Sequence, residues 1–209
     1  MQFNFFDENV NRPEGLRYQP ELTDRSEEAA LLARVRELSF KEFEFHGYLG
    51  KRRVVSFGWQ YEFSGSGRLR KADDIPEFLL ELRTHAAEFA QMEPEALQHV
   101  LVIEYGPGAG IGWHRDKPVF GEVVGISLLA PCVLRFRRKS SGGESGNPKK
   151  RKGRDGRTRT RANWERFNLD AEPRSAYHLS GPARSEWEHS ISSVEQLRYS
   201  ITFRNVRED

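Results

Sequence analysis

Cysteine is almost absent from this sequence of 209 residues, in which Cys132 is the only one. A single thiol excludes an internal disulfide and any zinc or iron–sulfur site that several cysteines would build. Because the surrounding residues 128–134 are mostly apolar, we expect Cys132 to be a buried, unreactive thiol rather than a nucleophile.

Long apolar runs are also missing. No stretch approaches the roughly 20 apolar residues of a membrane-spanning helix, and residues 1–7 lack the basic start, apolar segment and cleavage site of a signal peptide. We therefore expect a cytoplasmic protein with no membrane partner. The length, with 37% hydrophobic and 31% charged residues, suits a single domain over residues 1–209, which we expect to be a monomer.

Net charge is small, at +2, but the charges are unevenly distributed. Residues 135–161 contain twelve Lys or Arg and only two acids. Within this block, residues 139–162 have almost no apolar side chain, so the segment cannot bury enough surface to offset the entropy lost on ordering it. The sequence predicts a long, basic, mobile loop between two strands.

Hydrophobic periodicity predicts two helices followed by a series of strands. An aromatic N-terminal arm is expected over residues 1–20, a helix over 22–36 and a second helix that begins at Pro76. Residues 51–58 are predicted to form a strand that the aromatic segment 59–63 continues. Eight further strands are predicted over residues 100–105, 111–116, 123–129, 133–138, 166–169, 175–179, 187–191 and 198–205.

A run of strands without intervening helices excludes a parallel βαβ sheet. The predicted fold is therefore mainly β within the α+β class. It is a double-stranded β-helix, or jelly roll, with the two N-terminal helices packed on one sheet.

His114 and Asp116 are two residues apart, so in a strand their side chains leave on the same face. Alone, the pair fits equally a surface histidine beside a solvated aspartate. His189 lies in a second predicted strand and offers a third ligand. Two histidines and one carboxylate with open positions left over are typical of non-haem Fe(II) oxygenases.

The last predicted strand places Arg198, Ser200 and Arg204 on one face. Because burying an unpaired guanidinium is costly, two arginines there favour an anionic ligand such as a dicarboxylate. A solvated face is the alternative.

Four separated motifs resemble the AlkB-like Fe(II) and 2-oxoglutarate-dependent dioxygenases, in the family's order and over about residues 51–206. They are Tyr105-Gly106-Pro107-Gly108 before His114-x-Asp116, then Gly125-Ile126-Ser127-Leu128, then residues 174–181 leading to His189, and the terminal run from Arg198 to Arg204. Residues 53–63 resemble the family's substrate lid and are more similar to the tRNA-modifying branch than to the founding DNA-repair member.

The resemblance implies catalytic and cofactor roles for particular residues. His114, Asp116 and His189 would hold Fe(II), Arg198 would pair with the distal carboxylate of 2-oxoglutarate, and Arg204 would lie at the carboxylate end next to iron. Tyr105 and Ser200 would also face the cosubstrate. With O2, the reaction implied is oxidative demethylation or hydroxylation.

Three positions depart from the family pattern. Ile103 and Ser200 stand where the family commonly has asparagine, which removes one cosubstrate hydrogen bond and shortens another. Pro118 stands where the founding member carries an acid that helps to recognise a damaged base. These differences affect the substrate more than the reaction type.

Aromatic and basic residues predict a nucleic-acid substrate, either RNA or single-stranded DNA, with roles in RNA modification or DNA repair. An aromatic side chain would stack on a flipped base, and the basic residues would follow the phosphate backbone. The alternatives are core aromatics and a solvated charge run. The predicted substrate-binding residues are Trp59, Tyr61, Arg68, Arg135, Arg137, Lys149 and Arg151.

Two other functions remain open at this point. The same chemistry on a protein side chain or small molecule predicts no salt-sensitive polynucleotide binding. A non-enzymatic jelly-roll binding module predicts no iron-dependent succinate formation, and the intact set of His114, Asp116 and His189 argues against it.

Overall fold

The structure is a computed structural model that describes residues 12–45, 48–61, 69–140, 150–152, 158–160 and 163–207. Its helices are α1 (Arg25–Val35), α2 (Leu80–Ala90) and α3 (Gly181–Ser185). Its strands are β1 (Leu16–Gln19), β2 (Lys41–Phe45), β3 (Tyr48–Phe57), β4 (Trp59–Tyr61), β5 (Leu69–Lys71), β6 (His99–Tyr105), β7 (Ile111–His114), β8 (Phe120–Leu128), β9 (Cys132–Lys139), β10 (Lys150–Lys152), β11 (Thr158–Thr160), β12 (Trp164–Ala171), β13 (Ala176–Leu179), β14 (Glu188–Ile191) and β15 (Arg198–Val206).

Two antiparallel sheets form the body of the fold. The major sheet has seven strands in the order β1-β13-β8-β15-β6-β3-β2, and the minor sheet has four in the order β12-β9-β14-β7. The strand order, with neighbours far apart in sequence, is that of a double-sheet jelly roll. The predicted fold class is confirmed.

The predicted helices pack on one face of the major sheet. At α1, the Asp24 side chain accepts hydrogen bonds from the backbone N–H groups of Ser26 and Glu27, and the Glu27 carboxylate accepts one from the backbone N–H of Asp24. This capping box fixes the start of the helix. Apolar side chains of both helices then pack against Val102, Ile126 and other residues on the side of the sheet that faces the helices.

The opposite face of the major sheet packs against the minor sheet. Alternate residues of each strand enter this second core, among them Ile103, Tyr105 and Val123, with Leu134 and Phe136 from the minor sheet. Buried polar side chains lie on the same face, at Ser127, Arg198, Ser200, Thr202 and Arg204. The space between the sheets is therefore partly polar, which marks it as the place for a site.

Three details of the predicted elements are wrong. The strand predicted to run on through residues 59–63 breaks at Gly58, whose φ of +77° and close approach to the Gln98 carbonyl exclude a side chain. Residues 16–19 of the predicted arm form edge strand β1, paired with β13. Within the predicted basic loop, β10 and β11 pair as a short hairpin.

No helix in the described ranges combines the length and apolar character needed to cross a bilayer.

Candidate metal centre

Neighbouring strands of the minor sheet bring the three predicted ligands together. His114 at the end of β7 is the direct antiparallel partner of His189 on β14, and the centroids of the two rings are 4.3 Å apart. Asp116 follows β7, and its Oδ2 lies 3.6 Å from Nε2 of His189. The structure therefore brings the three predicted side chains close together, and their role as metal ligands stays a prediction.

Hydrogen bonds fix the orientation of two of these side chains, His114 and Asp116. His114 Nδ1 lies 2.9 Å from the carbonyl oxygen of Gly112, so Nδ1 carries the proton and Nε2 keeps its lone pair. Arg204 donates through Nε and NH2 to Oδ1 of Asp116, at 3.0 and 2.8 Å. Oδ2 of Asp116 is buried and has no hydrogen-bond partner among the described residues.

Protonation states also suit metal binding. Burial lowers the pKa of His189 to about 3, with His114 adding to the shift and Asp116 opposing it, and burial lowers the pKa of His114 as well. Burial alone would raise the pKa of Asp116, but the charge of Arg204, helped by the histidines and Arg184, holds it well below its usual range. Two neutral imidazoles and a carboxylate result at neutral pH.

The residues fit a divalent transition metal. A buried carboxylate oxygen without a hydrogen-bond donor is expensive unless a cation satisfies it, and Oδ2 of Asp116 is such an atom. Two imidazole nitrogens and one carboxylate oxygen on one side of a cation leave the other side open for exchangeable ligands.

A second buried charge lies in the major sheet. Arg198 is 1% exposed, and its NH2 donates to Oγ of Ser127 at 2.9 Å. Its Nε and NH1 have no hydrogen-bond partner within the described ranges. A buried guanidinium with two unpaired nitrogens fits an anion such as the distal carboxylate of a dicarboxylic acid.

Cross-strand pairing puts Tyr105 between two cations. Tyr105 pairs with Arg198 on one side and with Arg52 on the other, and the Arg198 guanidinium lies 5.0 Å from the centre of the Tyr105 ring. Burial raises the pKa of Tyr105, so its hydroxyl remains a donor. Arg52 is half-buried on the same face, and its charge acts on both Tyr105 and His114.

The other predicted cosubstrate residues lie on the same face. Ser200 is 4% exposed and pairs with Ser127 and with Ile103, so the residue at 103 offers the pocket only carbon. Arg204 is at the metal end, as predicted, but its hydrogen bonds go to Asp116 and to the buried imidazole of His99. Arg204 therefore orients a metal ligand.

Arg184 on α3 anchors the segment that follows Asp116. It is 6% exposed, and its guanidinium donates to the carbonyl oxygens of Asp116, Lys117 and Phe120, the last two at 2.8 and 2.6 Å. In return, Arg115 donates to the carbonyl of Ser185. The two ligand-bearing segments are thus tied to each other through α3, a few residues before His189.

Replacing Arg184 with methionine leaves those three carbonyls without their donor. We expect a loss of about 3–5 kcal/mol in the free energy of unfolding and a fall of about 10- to 100-fold in Mn(II) affinity, measured by denaturant titration and calorimetry. Arg115→Met, which removes one exposed hydrogen bond, should change both values little. Unaltered Mn(II) affinity in Arg184→Met would show that the anchor does not position Asp116.

The predicted substrate residues divide into three groups. Trp59 and Tyr61 lie on β4, which pairs with β5 as a separate hairpin. The Tyr61 ring lies 5.1 Å from Nζ of Lys117, directly after Asp116 in the chain, so this aromatic strand borders the metal-binding segment. Trp59 is half-buried beside Lys71.

Arg135 and Arg137 lie on the face of the minor sheet that points away from the metal ligands. Between them, Phe136 pairs with His189 and faces inward, so its neighbours face outward. Arg137 there stacks between Trp113 and Trp164. These arginines do not belong to a base pocket at the metal, and a contact with a phosphate backbone stays a prediction.

Arg68 and Lys149 lie outside the described residues, and Arg151 is described only as part of the backbone of β10. Their predicted roles stay predictions.

Sequence reasoning missed Arg184 and Arg52. Alternation along residues 51–57 would have put Arg52 on one face with Val54 and Ser56, but nothing in the sequence gives the register that places it beside Tyr105. For Arg184, no sequence signal predicts α3 or the carbonyls it binds.

Cys132 is partly exposed at the start of β9 and near enough to Arg198 and Tyr105 to interact electrostatically with both. The expectation of a fully buried thiol is therefore wrong, although burial raises the pKa of the thiol, and its lack of reactivity stays a prediction. It borders the pocket as a neutral side chain.

Comparison with known proteins agrees with this geometry. The sequence profile of the 2OG-Fe(II) oxygenase superfamily matches residues 15–204. The chain is 29% identical over 217 aligned residues to an Arabidopsis thaliana "Alkylated DNA repair protein ALKBH8 homolog", covering 98% of this chain and 58% of that protein. It is 28% identical over 127 residues to the Danio rerio "Probable RNA/DNA demethylase ALKBH6", covering 60% and 51%.

Solved structures share the fold at low identity. OsALKBH1 superposes with a TM-score of 0.62 at 16% identity, covering 93% of this chain and 97% of the other. A Pseudomonas putida prolyl-4-hydroxylase gives 0.54 at 14% identity, covering 93% and 94%.

The matching profile spans residues 15–204, which is almost all of the sequence. The chain belongs to the 2OG-Fe(II) oxygenase superfamily, whose chemistry uses Fe(II), 2-oxoglutarate and O2, and it is similar to proteins named as AlkB homologues.

Proposed function

We propose that this enzyme demethylates or hydroxylates a modified base in RNA or single-stranded DNA. The observation that supports a base most directly is the β4–β5 hairpin, which brings the half-buried Tyr61 ring against Lys117, next to the metal ligand Asp116. An aromatic ring at the entrance is what a flipped base needs for stacking.

The names of the relatives point the same way. One is called an alkylated DNA repair protein homolog and the other a probable RNA/DNA demethylase. The chain spans about half the length of these two proteins, 58% and 51%, so their substrates come to this chain only as part of the proposal.

Two groups of residues in this chain have separate roles, one in binding the cosubstrate and one in binding the metal. Arg198 and Tyr105 hold the distal carboxylate of 2-oxoglutarate, while His114, Asp116 and His189 hold iron. Iron and O2 supply the oxidation, in which 2-oxoglutarate becomes succinate and CO2 as one oxygen atom enters a substrate C–H bond. If that bond belongs to an N-methyl group, the hydroxymethyl product separates into formaldehyde and the demethylated base.

A panel of methylated oligonucleotides tests the proposal. RNA and single-stranded DNA, each with one methylated base, are incubated with the iron-loaded enzyme and 2-oxoglutarate, and loss of the methyl mass, formaldehyde and succinate are measured. We expect stoichiometric succinate and formaldehyde with at least one modified base. Succinate formed without change in any oligonucleotide would instead support a protein side chain or small molecule as substrate.

The basic segment gives a second, separate prediction. Replacing the four residues 149–152 with serine should weaken oligonucleotide binding about tenfold at physiological salt and flatten its salt dependence, because fewer phosphate contacts release fewer counterions. Decarboxylation of 2-oxoglutarate without oligonucleotide should persist. Fluorescence anisotropy at several salt concentrations measures oligonucleotide binding, and the amount of succinate formed measures decarboxylation.

A charge-matched control removes four exposed cations from the helix side of the molecule. The residues replaced with serine in this control are Arg25, Arg34, Arg36 and Lys41. Equal affinity losses in the two variants would mean that net charge, rather than the basic segment, governs binding.

A further inference from the structure

A third phenol faces the space between the sheets, on a strand that the sequence did not connect with cosubstrate binding. Tyr177 on β13 pairs with Gly125 on β8, and Gly125 pairs with Thr202 on β15. The neighbours of Tyr177 on β13, Ala176 and His178, face the helices. Tyr177 therefore points inward, into the core that also holds Tyr105.

Gly125 lets the Tyr177 ring cross β8. A Cβ added at Gly125 would lie 2.2 Å from Cζ and 2.4 Å from the hydroxyl oxygen of Tyr177. The far end of the ring thus occupies the place where any other residue at 125 would put its side chain. The hydroxyl lies over β8, one strand closer to β15 than the Tyr177 backbone.

This location is in the path from Arg198 to the metal. Along the inner face of β15, Thr202 is one inward-facing position from Arg204, which binds Asp116, and two from Arg198. The phenol is close enough to interact electrostatically with Tyr105, Asp116 and Arg204.

The Tyr177 hydroxyl stays protonated and can donate a hydrogen bond to a ligand. Burial raises the pKa of the Tyr177 hydroxyl well above its usual range, so the proton stays on the oxygen at physiological pH. The residue is only partly buried, and among the described residues no hydrogen bond is found for its hydroxyl.

We propose that Tyr177 is a cosubstrate-binding residue, whose hydroxyl donates a hydrogen bond to the metal-end carboxylate of 2-oxoglutarate across Gly125. This bond adds to a pocket in which Ile103 supplies no donor and Ser200 has only a short reach. The proposal concerns the cosubstrate alone and does not depend on the identity of the oxidised substrate.

The test compares 2-oxoglutarate with 4-oxopentanoate, which keeps the carboxylate held by Arg198 and the oxo group but has a methyl group in place of the metal-end carboxylate. Calorimetric titrations use the Mn(II)-loaded protein under anaerobic conditions. Tyr177→Phe keeps the ring and removes the hydroxyl, so 2-oxoglutarate affinity should fall about tenfold. The affinity for 4-oxopentanoate should be unchanged, and in the iron enzyme the KM for 2-oxoglutarate should rise while kcat changes little.

Two further variants separate this role from packing. Gly125→Ala, which pushes the ring aside, should lower 2-oxoglutarate affinity in the same way, and Tyr18→Phe, on the neighbouring strand β1, should leave both affinities unchanged. Thermal unfolding shows whether each variant is folded. Unchanged 2-oxoglutarate affinity in Tyr177→Phe, or an equal loss of affinity for 4-oxopentanoate, overturns the proposal.

Discussion

Replacing His189 with alanine is expected to abolish 2-oxoglutarate turnover and to weaken Fe(II) or Mn(II) binding more than about a hundredfold. Loss of groups that merely support a ligand costs about 10- to 100-fold, and His189 offers its nitrogen itself, 3.6 Å from Oδ2 of Asp116. Calorimetric Mn(II) titration and a succinate assay measure the two effects. His114→Ala should behave alike, since it removes the paired ligand on β7.

A matched control is His85→Ala. His85 lies with Glu27 and Glu81 on the helices, where three ligand atoms within 4.8 Å of one another form a group that could hold adventitious metal. This variant should leave turnover unchanged, and it should also leave unchanged the Mn(II) affinity of the site at His114, Asp116 and His189, which we expect to be the tighter of the two sites. If His189→Ala kept wild-type turnover while His85→Ala lost it, the metal centre would be misassigned.

Arg198→Met is expected to abolish 2-oxoglutarate binding while leaving the protein as stable as before, or more so. Truncating one partner of a buried charge pair costs 2–5 kcal/mol or more, or about 30-fold to several thousandfold in affinity. Without the cosubstrate, however, the guanidinium is a buried charge with two unpaired nitrogens. Replacing such a charge with an apolar side chain often stabilises a protein by about 1–4 kcal/mol.

The corresponding control is Arg53→Met. Arg53 lies next to Arg52 on β3, but its side chain is 49% exposed and pairs with Glu104 on the opposite face of the sheet. It should keep wild-type 2-oxoglutarate affinity, measured by calorimetry, and a nearly unchanged unfolding midpoint. A large loss of stability in Arg198→Met would indicate that the guanidinium supports the fold rather than a ligand.

These two predictions rest on residues that the sequence identified, because local spacing determined them. His114 and Asp116 share a face in any strand, and Arg198 and Arg204 share one in the last strand. Hydrophobic alternation likewise predicted most strands, since each buries one face on a core. What could be predicted was therefore the set of side chains on each face.

What could not be predicted was the register between strands that are distant in the sequence. The row that joins Arg52, Tyr105 and Arg198, and the row that joins Tyr177, Gly125 and Thr202, exist only after pairing. For the same reason the sequence placed Arg204 at the metal end without showing that its hydrogen bonds go to Asp116.

The outward position of Arg135 and Arg137 illustrates a different limit. Their charge was visible in the sequence, and alternation along β9 separates them from Phe136, but which face carries the site depends on β14 lying beside β9. The arginine and tryptophan stack on that outer face has no role in the metal chemistry.

A succinate assay under omission conditions tests most directly whether His114, Asp116 and His189 form an iron site served by Arg198. The purified protein is supplied with Fe(II), 2-oxoglutarate and O2, each left out in turn, and the succinate formed is counted per enzyme. We predict multiple turnovers with all three components and none when any one is absent or when His189 or Arg198 is replaced. Succinate formation at the wild-type rate in the His189→Ala protein would contradict the account.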